Sequence, residues 1–345
     1  MRVRGGLGPW ALVALAAGSG GCQRPAAPAP ARVEARRLAM GSELHLTAIT
    51  ADAAAARRAF AQVDAEFERL EGLLSVWREG SDVSRLNAAA GGDPVPVHAD
   101  TRAVLRASAQ VSDWTGGAFD ATFGALAEIW KFDHDQDGRV PTAAEIAARR
   151  PRVDYRAVVV DERRGTAAIT RPGVRVHVGG IGKGYAVDRA VAVLRAAGLR
   201  DFMVQAGGDL YVGGTAGDGP WRLGIQDPRG PSGEPFAVVE LSDATLSTSG
   251  DYERFFERDG VRYHHILDPS TGQPARGTRS VTIVTRQALW ADGLSTGVFV
   301  LGPARGLALV ERLPDVEAVI VTEDNAVLVS SGLRDRVIVR RPPTP

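Results

Sequence analysis

The run Gly179-Gly180-Ile181-Gly182-Lys183-Gly184 has the residue types of an anion site. Glycines admit close backbone approach, successive N–H groups form a nest, and the N-terminus of a following helix adds a positive dipole end. Lys183 and Lys131 are the only lysines among 41 basic residues, so Lys183 stands out as a point charge for a phosphate. Gly184 stands where a Walker loop needs Ser or Thr, and the glycine spacing is not that of the dinucleotide fingerprint, which excludes both motifs. The competing reading is a glycine-rich turn with a solvated lysine.

Three further stretches carry polar groups suited to the same chemistry. Ala206-Gly207-Gly208-Asp209 would let backbone approach a ligand at the end of a strand. Ser247 to Arg254 is followed by the adjacent His264 and His265, which on a strand point to opposite faces, so at most one faces a given cleft. Asp292 and Thr296, at i and i+4, share one helix face and form a hard-oxygen pair for Mg²⁺, or else simply belong to a capped helix start. Asp133 to Gly138 begins like an EF-hand loop, but its twelfth position is Ala144 and Glu145 arrives one place late, so it reads as a Ca²⁺ loop or as a plain polar loop.

The elements that must position these groups follow from apolar spacing. Leu44 to Ile49 alternates like a strand, and Ala53 to Leu74 has helical spacing at Phe60, Val63, Phe67 and Leu70. Thr101 to Thr115 reads as a helix, Ala157 to Val160 as a strand pairing with Val174 to Val178, and Tyr185 to Ala197 as a helix closed by Gly198. Short strands follow at Phe202 to Gln205, Trp221 to Ile225, Ala237 to Leu241, Val281 to Val284, Ala318 to Thr322 and Ala326 to Ser330, with a helix near Asp292 to Val300. Strands and helices do not alternate strictly. The expectation is an α+β fold, one large mixed domain with N-terminal helices and a β-rich later half.

Composition sets the remaining bounds. An apolar content of 44% supports a sizeable core, and 41 basic residues balance 41 acidic ones, so no global field draws the chain to nucleic acid. Cys22 is the single cysteine, which excludes an intramolecular disulfide and a multi-cysteine metal site. Arg2 and Arg4, the apolar run Pro9 to Ala17 and the small residues before Cys22 read as a lipoprotein signal over residues 1–21, with Cys22 as the lipidated residue. A free thiol after an ordinary secretory signal is the alternative. Residues 22–32 then comprise the lipidated cysteine and a Pro/Ala spacer, and residues 33–340 the folded domain.

Taken in order, Met40-Gly41-Ser42, Ser75-Val76-Trp77, Ser81 to Asn87, Gly116 to Asp120, Gly179 to Gly184, Gly207 to Asp209, Ser249 to Tyr252, His265 to Pro269 and Ala291-Asp292 with Thr296 resemble the FAD:protein FMN transferase (ApbE) family over nearly the whole mature chain. By that resemblance FAD is the substrate and Mg²⁺ the metal. Met40, Trp77, Asn87, Ala118, Phe119, Asp120, His177, Lys183, Gly207, Gly208, Asp209, Ser249, Gly250 and Ile266 would contact FAD. The metal ligands would be Gly180 through its carbonyl, Asp292 and Thr296, with Ser295 weaker, and the catalytic residues His265 and Lys183. His177 departs from the family, which usually opens the glycine loop with Asp.

The implied reaction moves FMN from FAD to a Thr or Ser of an acceptor flavoprotein, such as a subunit of a membrane redox complex, and releases AMP. The implied place is a membrane-anchored lipoprotein facing the periplasm or cell exterior. Two alternatives remain: a Mg²⁺-dependent FAD pyrophosphatase giving FMN and AMP, and a non-catalytic FAD-binding lipoprotein.

Overall fold

The computed structural model describes residues 29–133 and 135–345. Cys22, the signal-like residues 1–21 and most of the expected spacer lie outside them, as does His134. Among the described residues are eight helices: α1 (Ala53–Leu74), α2 (Asp82–Ala88), α3 (Ala99–Thr115), α4 (Gly124–Ala127), α5 (Ala143–Arg149), α6 (Gly182–Ala196), α7 (Ala288–Leu301) and α8 (Pro303–Val310). None of them is long and apolar enough to cross a membrane.

An antiparallel sheet of eight strands forms the centre. Its spatial order is Ala31–Ala39, Ser42–Thr50, Asp201–Ala206, Asp209–Gly213, Ala244–Gly250, Thr278–Thr285, Glu317–Thr322 and Val327–Val329. The first strand begins at Ala31, so the expected spacer gives way to sheet two residues before its assigned end. The fold is α+β, as the lack of strict alternation implies.

Side-chain alternation along the strands divides two cores. Phe202, Val204, Val281, Ile283, Ala318 and Ile320 face α1, α6 and α7, where Phe60, Val63, Phe67 and Leu70 of α1 and Leu194 of α6 are buried with them. The intervening Met203, Val212, Val284, Val319 and Val321 face a second sheet, in which Pro235–Leu241 lies between Trp221–Gln226 and Val337–Val339. Each fully buried Phe or Leu of this kind contributes about 1.5–3 kcal/mol. The same alternation puts Asp209, Ser247 and Ser249 on the helix side, because Tyr211 faces helices while Leu210, Val212 and Leu246 face the second sheet.

One expected pairing is wrong. Val158–Asp161 pairs with Thr166–Ile169, not with Val174 to Val178. Residues 174–178 do alternate, with Val174, Val176 and Val178 buried, but they form no strand ladder. Their partners are the Asn87 side chain, which takes the Val176 N–H and carbonyl at 2.7 and 2.8 Å, and the Ala121 carbonyl, which accepts from His177 N at 2.7 Å.

Helix α6 begins at Gly182, three residues earlier than the apolar spacing implies, so Lys183 and Gly184 sit in its first turn. Gly198 follows the α6 C-cap Ala197 with φ +80°, the left-handed position expected of it. Gly184 is where α6 and α7 touch: a Cβ there would overlap the Ala288 carbonyl and stand 2.7 Å from Asp292 Cβ. Gly184→Ala should therefore force the helices apart and destabilise the protein by about 1–3 kcal/mol in chemical denaturation; an unchanged midpoint would show that the junction yields without cost.

Candidate functional site

At the end of the helix-side face, two helices exchange carboxylates. Asp292 of α7 accepts the Gly184 N–H at the start of α6 at 2.8 Å. Asp188 of α6 accepts the Ala288 and Leu289 N–H groups at the start of α7 at 2.8 and 2.9 Å. Each carboxylate satisfies amides that the other helix leaves unpaired and meets its positive dipole end.

This alters the reading of the glycine loop. Gly179 N donates to His177 Nδ1 at 3.1 Å, Ile181 N and Gly182 N to the Val178 carbonyl at 3.1 and 2.8 Å, and Gly184 N to Asp292. Those four amides are committed within the protein, so the loop is not the open amide nest that its glycines suggest. Its cationic handle is Lys183, whose Nζ lies 2.9 Å from Asp209 Oδ2. The other oxygen of Asp209 accepts a short hydrogen bond from Ser247 Oγ. Burial opposes the Lys183 charge, but Asp209 and Asp292 outweigh it and hold the ammonium well above its ordinary pKa. Burial, reinforced by the charge of Asp209 and partly offset by Lys183, pushes Asp292 upward.

A cluster of oxygen donors adjoins this pair. Ser249 Oγ lies 2.8 Å from Ser295 Oγ and 3.2 Å from Thr296 Oγ1, while Ser295 Oγ donates to its own helix at the Asp292 carbonyl at 2.8 Å. Gly180 packs here, since a Cβ on it would stand 3.4 Å from both Thr296 Oγ1 and Phe119 Cε2. Gly207, with φ +59°, brings its backbone near the Lys183 stem, and Gly208 lies close against the Thr248 carbonyl, where a Cβ would come within 2.8 Å. Gly250 closes the Ala244–Gly250 strand that carries Ser247 and Ser249.

The two histidines separate as alternation requires. His264 is buried: its Nε2 donates to the Ala275 carbonyl at 2.9 Å and its Nδ1 accepts from Ile266 N at 3.3 Å. The buried Ile266 fixes this turn through its carbonyl, which accepts from Ala275 N at 2.9 Å. His265 puts Nδ1 3.3 Å from the Arg254 carbonyl. A carbonyl only accepts, so Nδ1 carries the hydrogen and Nε2 the lone pair. Burial, then the positive charge of Arg254, depress the His265 pKa well below the ordinary value, so the ring is neutral.

Other candidate residues serve the backbone. Both polar atoms of Asn87 grip Val176. Asp120 accepts from Thr122 N, Thr122 Oγ1 and Tyr155 N at 2.7, 2.6 and 2.9 Å. His177, neutral because burial lowers its pKa to about 4, caps Gly179 as a short acidic side chain would, and its ring centroid lies 5.0 Å from that of Phe123. Met40 occupies the turn between the first two strands at φ 48°, its N–H on Glu71 Oε2 at 3.3 Å. Trp77 follows α1 and is 59% exposed, Ala118 is half-buried, and Phe119 is buried beside Gly180. The Asp133 to Gly138 loop is tied by Asp133 to Arg254 and by Asp137 to Lys131 at 3.5 Å, while Glu145 closes a capping box at α5. Asp133 and Asp137 are thus each paired with a basic side chain.

The sequence model of the ApbE family matches residues 40–320. The chain belongs to the ApbE family. It is 36% identical to the FAD:protein FMN transferase of Treponema pallidum over 304 residues, 83% of each chain. The FAD:protein FMN transferase of Vibrio cholerae is 34% identical over 268 residues, 76% of this chain and 79% of that one. Among solved structures, the ApbE protein of Thermotoga maritima superposes with a TM-score of 0.82 at 34% identity, covering 89% of this chain and 99% of that one. The flavin transferase ApbE of Vibrio cholerae gives 0.80 at 29% identity, with the same coverage. Family membership thus agrees with the ordered motifs.

Asp188 escaped sequence reasoning, since its partners lie about 100 residues along the chain and it belongs to no distinctive motif; Ser247 and Arg254 lie in a stretch the sequence singled out, but their partners Asp209 and His265 were not legible there. Asp188 gives this ApbE chain a pH signature. Burial raises its pKa to about 6 from an ordinary 3.8, so the folded state holds its proton longer and its contribution to stability falls as pH rises from about 4 to 6. Asp188→Asn should gain on the wild type across that window in urea denaturation. A gap widening in favour of the wild type would show that its two amide bonds outweigh burial.

Proposed function

We propose that this chain is a Mg²⁺-dependent FAD:protein FMN transferase that joins FMN through a phosphoester to a Thr or Ser of an acceptor flavoprotein and releases AMP. The observation that carries the proposal is the meeting of a held lysine, a buried carboxylate and three hydroxyls at the α6–α7 junction, with the neutral His265 within electrostatic reach of Lys183. The names borne by its relatives supply the substrate.

The donor set fits a hard cation. Asp292, Thr296 and the Gly180 carbonyl, with Ser295 weaker because its hydroxyl bonds the helix, offer oxygen alone. Among the described residues no group of three or more His, Cys, Asp or Glu is placed to hold a metal, so hydroxyl, carbonyl, water and phosphate oxygens would have to complete the shell around Asp292. Asp292 is itself a reason for a cation, being a buried carboxylate that Asp209 further destabilises. Bound there, Mg²⁺ would neutralise the pyrophosphate and the charge that develops on the departing phosphate.

The side chains supply the rest. Lys183, oriented by Asp209 and Ser247, presents its ammonium to a phosphate oxygen. His265 Nε2 takes the proton of the acceptor hydroxyl as that oxygen bonds the FMN-side phosphorus. The bond from this phosphorus to the bridging oxygen then breaks, and AMP leaves with that oxygen. Removing the base should cost about 10²–10⁴ in rate.

Residues 1–21 and Cys22 support export and a lipid anchor, facing the periplasm or cell exterior. A subunit of a membrane redox complex on that side is the acceptor class this suits.

The test is to incubate the protein with FAD, Mg²⁺ and a domain bearing a candidate acceptor threonine, following acceptor mass and AMP together. FMN gained with equal AMP, lost in Asp292→Ala and slowed in His265→Ala, is the expected result. Free FMN and AMP with an unmodified acceptor would instead mark a pyrophosphatase, and FAD binding without AMP a binding protein. Because the His265 pKa is depressed, the acid limb that belongs to this base, measured at saturating Mg²⁺ so that Asp292 stays ionised, should fall well below pH 6.5; a limb at or above 6.5 that does not move with Mg²⁺ concentration would remove His265 as the base.

A further inference from the structure

A polar cavity of about 290 Å³ is lined by Arg229, Asp251, Arg262, His264, Arg276 and Thr278 among others, and by none of the residues at the α6–α7 junction. Two of its three arginines are paired with carboxylates. Arg229 forms a two-pronged pair with Asp251, at 2.7 Å through each nitrogen, and Arg262 pairs with Glu257 at 3.0 Å while lying 4.1 Å over the Phe255 ring. Glu323, also on the lining, accepts from Gly277 N at 3.0 Å. Arg276 donates to the Arg262 carbonyl at 3.0 Å and pairs with no carboxylate among the described residues.

Two residues further on, Thr278 is buried, 4% exposed, and its hydroxyl has no hydrogen-bond partner. A buried hydroxyl without a partner is costly and calls for an occupant. The Arg276 guanidinium, which forms no ion pair, can only donate and the free Thr278 hydroxyl can donate, so an oxygen acceptor with negative charge would satisfy both, at a distance from the Glu323 carboxylate on the same lining.

We propose that this cavity binds a small oxyanion: a phosphate or a carboxylate, free in solution or carried on an acidic side chain of another protein. The site is independent of the flavin reading, since it shares no side chain with that junction. Its volume would also hold several waters, at about 30 Å³ each, and the experiment separates the two occupants.

The full-length protein is titrated with inorganic phosphate and, separately, with N-acetyl-aspartate amide at constant ionic strength, following Tm. Either probe should give a saturable rise of about 2 °C or more. The rise should vanish in Arg276→Gln and in Thr278→Val and persist in Lys183→Met. A phosphate response alone identifies a free anion, an aspartate response alone a protein-borne carboxylate, and both together a general oxyanion site. Arg276 is exposed, so its variant keeps the test alive if Thr278→Val fails to fold. No saturable rise with either probe would leave the cavity to water and overturn the proposal. An equal rise in Arg276→Gln, or loss in Lys183→Met alone, would do the same.

Discussion

The site depends on the crossing of α6 and α7. Gly184 lacks the Cβ that would collide with the Ala288 carbonyl, so the two helix starts approach until each can use the other's carboxylate. Asp292 reaches Gly184 N only because of that approach, and Asp188 secures the same junction from the other side. This explains why a loop resembling a phosphate cradle has Gly where a nucleotide-binding loop would have a hydroxyl residue: the position is filled by a neighbouring helix. The anion at this helix start is a protein carboxylate, so the Gly184 amide is taken and is not open to a ligand.

Strand alternation then decides which polar groups join the junction. In the Ala244–Gly250 strand Leu246 faces the second sheet, so Ser247 and Ser249 must face the helices. Ser247 steadies Asp209, Asp209 holds Lys183, and Ser249 meets Ser295 and Thr296. A one-residue slip of this strand would reverse all of these contacts at once, because the period of a strand is two. The site is thus specified by the two-sided apolar core as much as by its own polar residues.

Much of this was legible in the sequence. The spacing of Phe60, Val63, Phe67 and Leu70 located α1, and the strands from Phe202 onward fall near their assigned places. The glycine loop before α6, Asp292 and Thr296 on one helix and the opposed directions of the two histidines were also visible. Residues 174–178 misled because their alternation is real while their partners are an asparagine side chain and a turn carbonyl, which no strand pattern announces. Thr166–Ile169, the true partner of Val158–Asp161, has two alanines and little strand character of its own. Asp188 was hidden for a different reason: a carboxylate inside one helix that caps another, 100 residues later, has no local signature.

The central claim is that a metal and the pyrophosphate of FAD meet at Asp292 in the α6–α7 junction. The most direct measurement is the ³¹P spectrum of FAD bound to the protein, with Mn²⁺ titrated in place of Mg²⁺. The account predicts selective broadening of the pyrophosphate resonances at substoichiometric Mn²⁺, and its loss in Asp292→Ala with FAD still bound. Equal broadening in that variant, or none in the wild type, would contradict it.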